Sequence, residues 1–246
     1  MTTTSLAAPQ LVINSRMLYS SWIPADPHAA AALLAPGLRP AANRAVYMNQ
    51  YVVDSAEQTS SFGAYSLTYL GVDLAGRTAP DGVTPARFFT HYFNSSETVR
   101  AYVLERGVPA SQGTTALELT GDELVATTRV DGVPIIRTVA RVGSAIGSVA
   151  RGHLLYVTRV GKRLMAGNYP YVGEVVSPFE LVSLEFLAKD HPVYALRPAS
   201  PLRRVEAWCW YAPRTPSCTR AASTNTSREG PRGRPSDMGL GVDHAR

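Results

Sequence analysis

The sequence predicts an α+β domain that is mainly β, an antiparallel sheet that curls or closes on itself with a few outer helices. Three observations carry this prediction. Short runs alternating bulky and small residues recur from Ala45 to Val160. Turn dipeptides separate them, and Asp131-Gly132 is the sharpest hairpin signal. Helix start and stop signals occur in only three short stretches.

Residues 1–14 are rich in Thr, Ser and Ala and read as a flexible N-terminal arm. Met17 to Ile23 reads as a strand. Asp26 then offers an N-cap and Pro27 a first helical position, for a helix that stops before Pro36-Gly37. Strands follow at Ala45 to Val53, Ala64 to Val72 and Ala86 to Phe93. A second helix is expected over Ser96 to Glu105, ending at Gly107. Thr114 to Leu119, Glu123 to Val130 and Val133 to Val142 form a meander. Gly143 to Gly147 reads as a turn or bulge. Leu154 to Val160 and Arg163 to Ala166 pair across Gly161-Lys162. The spacing of Leu181, Leu184 and Leu187 predicts a third helix over Pro178 to Ala188. Val205 to Tyr211 reads as the last strand. From Arg214 to Arg246, Pro, Ser, Thr, Arg and Gly dominate, so this stretch reads as a disordered tail. The folded domain is then 15–213.

Composition narrows the function. The chain has 246 residues, 45% of them hydrophobic, enough for a sizeable core. No apolar run approaches the roughly 20 residues of a spanning helix, and no signal-peptide pattern opens the chain. These features predict a cytoplasmic protein that neither enters a membrane nor is secreted. Net charge is +5, but Arg residues of the 214–246 stretch supply much of it, so no nucleic-acid partner is expected. Cys and His spacing gives no metal site, and no phosphate loop or dinucleotide fingerprint implies a cofactor. Lysine chemistry has two candidates only, Lys162 in a hairpin turn and Lys189 at the end of an apolar segment.

Several runs carry a resemblance. Trp22-Ile-Pro24 through Pro36-Gly37-Leu38, Gly63-Ala-Tyr65-Ser-Leu67, Phe88-Phe-Thr-His91-Tyr92 and Gly107-Val-Pro109 follow one another in order. In that order and spacing the chain resembles the acetoacetate decarboxylase family from about residue 15 to 213. The resemblance implies a cone-shaped β-barrel, an apolar interior cavity and a homo-oligomer. It also implies a lysine that forms an imine with a β-keto acid, its pKa lowered by burial and a neighbouring cation. Here Ala110 stands at the lysine position and Ser111 at that of its cationic neighbour, while Leu67 replaces the cavity glutamate.

The resemblance therefore implies a divergent protein that binds a small carbonyl or keto-acid compound without an imine. A lyase-type or cyclase-type tailoring enzyme working by acid–base chemistry is the leading expectation. A non-catalytic binding or structural protein is the second, and a decarboxylase with another nucleophile the third. The candidate pocket residues are Tyr65, Leu67, His91, Tyr92, Glu105, Arg106, Ala110, Ser111 and Gln112. Each also has a plainer role: core tyrosines, a packed histidine, a solvent-facing helix end, a turn.

Overall fold

The structure is a computed structural model that describes residues 10–222, with side chains described through Thr215. Its strands are β1 (Gln10–Trp22), β2 (Val46–Val53), β3 (Tyr65–Thr78), β4 (Pro85–Asn94) and β5 (Ala110–Gln112). They continue with β6 (Thr114–Thr120), β7 (Glu123–Val130), β8 (Val133–Val160), β9 (Arg163–Phe186) and β10 (Trp210–Ala222). The two α-helices described are α1 (Pro27–Ala32) and α2 (Glu97–Leu104). The strands form one sheet in the order β5-β4-β3-β2-β1-β10-β9-β8-β7-β6. A parallel pairing of β4 with β8, Arg87 beside Tyr156 and Phe88 beside Val157, closes it into a barrel. The fold is the mainly β, curled antiparallel sheet with outer helices that the alternation predicts.

The meander β6-β7-β8 runs past the closure and folds back over the outside of β2 and β3. Both faces of those inner strands are therefore covered, and every residue from Val46 to Tyr51 is buried. On the inner face, Tyr47, Tyr51, Tyr65, Leu67 and Tyr69 join an aromatic core. On the outer face, Val46, Met48, Leu70 and Val72 join an aliphatic core with Ile136 and Leu184. The polar residues between the layers satisfy one another. Gln50 donates to Thr128 (3.1 Å) and accepts from Thr138 (2.7 Å), and Thr68 bonds both Thr115 and Thr128. Leaving any of these unpaired in a dry layer would cost ~1–3 kcal/mol.

Local chemistry sets the helices and turns. The Asp26 carboxylate accepts from the backbone N–H groups of His28 and Ala29, both at 3.0 Å. Ser96 caps α2 by accepting from Val99 N–H. Gly107, at φ 74°, ends that helix with the Val108 N–H reaching back to the Val103 carbonyl. Asp131 and Gly132 both take positive φ, which the two-residue hairpin requires.

Three expectations are corrected. Pro178 to Ala188 is not a helix: β9 runs to Phe186, paired with β8 from Ile136 onward. The misleading signal is a bulge. The register shifts between Val139 and Ala140, so Leu181 and Leu184 are both buried three residues apart while Val182 between them is exposed. Gly143 to Gly147 stays within β8 and carries two register shifts, so of turn or bulge it is the bulge. Before β10 the chain makes a 3-10 turn at Glu206–Trp208, so the last strand begins at Trp210 rather than Val205. The edges of the folded part also lie further out than 15 and 213. β1 starts at Gln10, and β10 continues to Ala222, pairing with β1 and β9. The rest of the arm, 1–9, and of the tail, 223–246, lie outside the described residues.

One irregularity in β4 matters for the interior. The ladder pairs Leu70 with His91 and then Gly71 with Phe89, so Thr90 is an extra residue. Tyr92 faces the inner core, and His91 and Phe93 face outward. Below the bulge the parity flips, which turns Phe89 inward. His91 stacks on Phe93 at 5.9 Å and lies 6.3 Å from His191. Burial, with His191 nearby, lowers its pKa to about 4.

Two predictions follow from this packing. A Cβ on Gly71 would overlap the Phe88 carbonyl and the Tyr47 phenol. Gly71→Ala should therefore destabilise the fold by about 1–3 kcal/mol, measured by urea denaturation. His91 is neutral when folded, so acid favours the unfolded chain. Stability should be unaffected by this group above pH 6.5 and fall between about 6.5 and 4, by on the order of 2 kcal/mol. His91→Gln should reduce the loss of melting temperature over that range; an identical loss would show that His91 does not contribute.

Candidate functional site

The barrel interior is an aromatic chamber, built because the inward positions of six strands are tyrosines. β1 supplies Tyr19, β2 Tyr51, β3 Tyr65 and Tyr69, β4 Tyr92, β8 Tyr156, and β9 Tyr169 and Tyr171. Phe62, Phe89 and Trp210 fill gaps between them, and α2 lays Val99, Tyr102 and Val103 along one side. The cavity left open is about 80 Å³. It is room for a small molecule rather than a single water, which needs only about 10–15 Å³ on the same measure.

The rings meet mostly edge to face, the favoured aromatic geometry. Phe62 meets Tyr102 at 5.1 Å and Tyr69 meets Phe89 at 5.4 Å. Their hydroxyls make two short chains. Asn49 Nδ2 donates to Tyr69 Oη at 3.0 Å, and Tyr69 Oη bonds Tyr156 Oη at 2.8 Å. Tyr51 and Tyr65 share a hydrogen bond of 2.9 Å. Burial raises the pKa of every one of these phenols, most simply for Tyr65, where desolvation outweighs the bond from Tyr51. They are neutral hydrogen-bond donors at neutral pH.

The sequence-derived candidates fall into three groups. Tyr65 and Tyr92 line the cavity, and Leu67 packs in the same core. Ala110 packs against that core from β5. The others do not reach the chamber. His91 faces the outer core, for the parity reason given above. Glu105 is exposed and pairs with Arg106 at 3.5 Å. Arg106 lies over the Tyr102 ring at 3.6 Å and donates to the Tyr102 carbonyl, holding α2 in place. Ser111 and Gln112 are exposed on β5.

Lys162, at the β8–β9 turn, and Lys189, after β9, are both exposed. Among the described residues, no amine, carboxylate or imidazole lines the cavity. Among the described residues, no group of three or more His, Cys, Asp or Glu could hold a metal ion. No described helix is long and apolar enough to cross a membrane.

Sequence alone does not reveal Asn49 or Tyr156, although their strands are legible, nor Tyr169, which lies beyond the strand read as ending at Ala166. Their inward parity depends on barrel closure. Arg87 was also missed. It is fully buried and bonds Asp73 through Nε at 3.1 Å. The Thr90 bulge turns it inward with Phe89. Burial pushes the Asp73 carboxyl up, and the Arg87 guanidinium partly offsets this.

No family model and no curated protein matches the chain. Solved structures do. An acetoacetate decarboxylase aligns with TM-score 0.65 at 13% identity, covering 89% of this chain and 91% of its own. The acetoacetate decarboxylase of Legionella pneumophila gives 0.61 at 17%, covering 90% and 88%. The enduracididine biosynthesis enzyme MppR, complexed with the condensation product of pyruvate and imidazole 4-carboxaldehyde, gives 0.60 at 12%, covering 91% of each chain. With TM-scores of 0.60 to 0.65 over about nine-tenths of each chain, the chain has the acetoacetate decarboxylase-like fold.

Proposed function

We propose that the protein binds a small, largely apolar carbonyl compound in the aromatic chamber and acts on it without forming an imine. One observation carries this reading: among the described residues, the cavity is lined by phenols and by no amine. The Tyr69–Tyr156 pair, with Asn49 behind it, offers donors to a carbonyl oxygen. Such donors are worth more as negative charge grows on that oxygen, so they favour the enol or enolate of the ligand. This is the stabilisation that a lyase-type or cyclase-type step on a carbonyl compound needs. The enzymes among the structural neighbours support it by analogy of fold only.

A second reading, holding a ligand without converting it, is favoured by a separate observation. Among the described residues, no carboxylate or imidazole lines the cavity, so none of these side chains is suited to taking a carbon-bound proton near pH 7. The two readings separate by exchange. Acetophenone in deuterated buffer should lose its methyl proton signal faster with the protein present, by NMR. Tyr69→Phe should slow that exchange about tenfold or more. Saturable binding with no acceleration would leave the holding role.

The absence of an imine is tested apart from this. Borohydride added with a small ketone should leave the intact mass unchanged. A reduced adduct on Lys162 or Lys189 would overturn the proposal.

A further inference from the structure

The buried polar atoms without partners are not scattered evenly. Both terminal nitrogens of Arg87 lack a hydrogen bond, as do the hydroxyls of Tyr19 and Tyr47. These groups are neighbours. The Arg87 guanidinium carbon lies 5.2 Å from the Tyr19 ring centroid and 5.1 Å from that of Tyr47. Trp208 covers it at 4.3 Å. Tyr19 also lines the cavity, and Tyr47 touches Tyr69 and Tyr156, which line it too.

Aromatic faces stabilise a buried cation, but they do not accept the N–H groups at its edge. Asp73 takes Nε alone. The two-nitrogen end of the guanidinium is thus a bare fork beside the rings of Tyr19 and Tyr47. Buried donors on a charge are costly to leave unmade, and a native fold that keeps them empty calls for an occupant. The set has donors in excess, so a group that only accepts fits it. A planar carboxylate matches the fork bidentately.

We propose that Arg87, with Tyr19 and Tyr47, forms a carboxylate subsite at the inner end of the aromatic cavity. This rests on the reading that the cavity takes a carbonyl compound and narrows the ligand to one bearing a carboxylate. The ligand body lies among Tyr69, Phe89 and Tyr156, and its anionic end displaces the Tyr19 ring to reach the fork. Trp208, on the short turn before β10, is half-buried.

The test uses two probes of one shape, benzoate and acetophenone, titrated by calorimetry into the full chain. Benzoate should bind at least ~10-fold more tightly, the ratio expected of a charge-assisted pair. The double variant Arg87→Met/Asp73→Asn, which leaves no lone buried carboxylate, should lose that preference and keep its acetophenone affinity. The single variant Asp73→Asn keeps the shape and removes the competing negative charge. It should bind benzoate several-fold more tightly, which decides the matter if the double variant fails to give a cooperative melt. Equal affinity for both probes, or benzoate binding indifferent to both variants, overturns the subsite and leaves the cavity reading standing. Failure of both probes to bind overturns the cavity reading and the subsite with it.

Discussion

One extra residue, Thr90, decides what the barrel contains. Above it, β4 points Tyr92 inward; below it, the same strand points Phe89 and Arg87 inward. Without the insertion, strict alternation would send Phe89 and Arg87 to the outer layer, where β4 meets apolar neighbours. The bulge is matched across the ladder by Gly71, whose missing side chain gives space to the Phe88 carbonyl and the Tyr47 phenol. The closure onto β8 follows directly, because Arg87 and Phe88 are the residues that pair with Tyr156 and Val157. A buried cation inside a ring of aromatics is the outcome. Its charge is met by one carboxylate and three aromatic faces.

The interior polarity follows from burial rather than from ionised groups. The phenols of Tyr51, Tyr65, Tyr69 and Tyr156 are held neutral by desolvation, so the site has donors of fixed protonation. That differs in kind from a site tuned around a lysine. An amine with a lowered pKa attacks a carbonyl, whereas a phenol of raised pKa can only donate to one. Both lysines lie exposed, outside the chamber.

Much of this fold is legible in the sequence wherever local chemistry acts alone. The Asp26 and Ser96 caps, the Gly107 stop and the Asp131-Gly132 hairpin are as their residues dictate. Legibility fails at bulges. An inserted residue at Val182 imitates a helical spacing, and one at Thr90 reverses the face of everything upstream of it in β4. The candidate site suffers for the same reason. Tyr65 and Tyr92 lie on regular stretches and are found by parity. Asn49, Tyr156 and Arg87 owe their position to two-sided burial and closure, which depend on strands far apart in sequence. Glu105, Ser111 and Gln112 were attractive only through their nearness in sequence to Ala110.

The pairing of β1 with β10 carries a consequence for how the molecule is made. Ser15 donates its hydroxyl proton to the Thr215 carbonyl, 200 residues away, and Tyr19 stacks on Trp210. Until β10 leaves the ribosome, the chamber stays open along one seam and its tyrosines face water. Contacts of such long separation slow folding and prolong the exposure of sticky intermediates. Assembly of this barrel is therefore a late, all-at-once event, and the cell's chaperones meet it as an unzipped aromatic sheet.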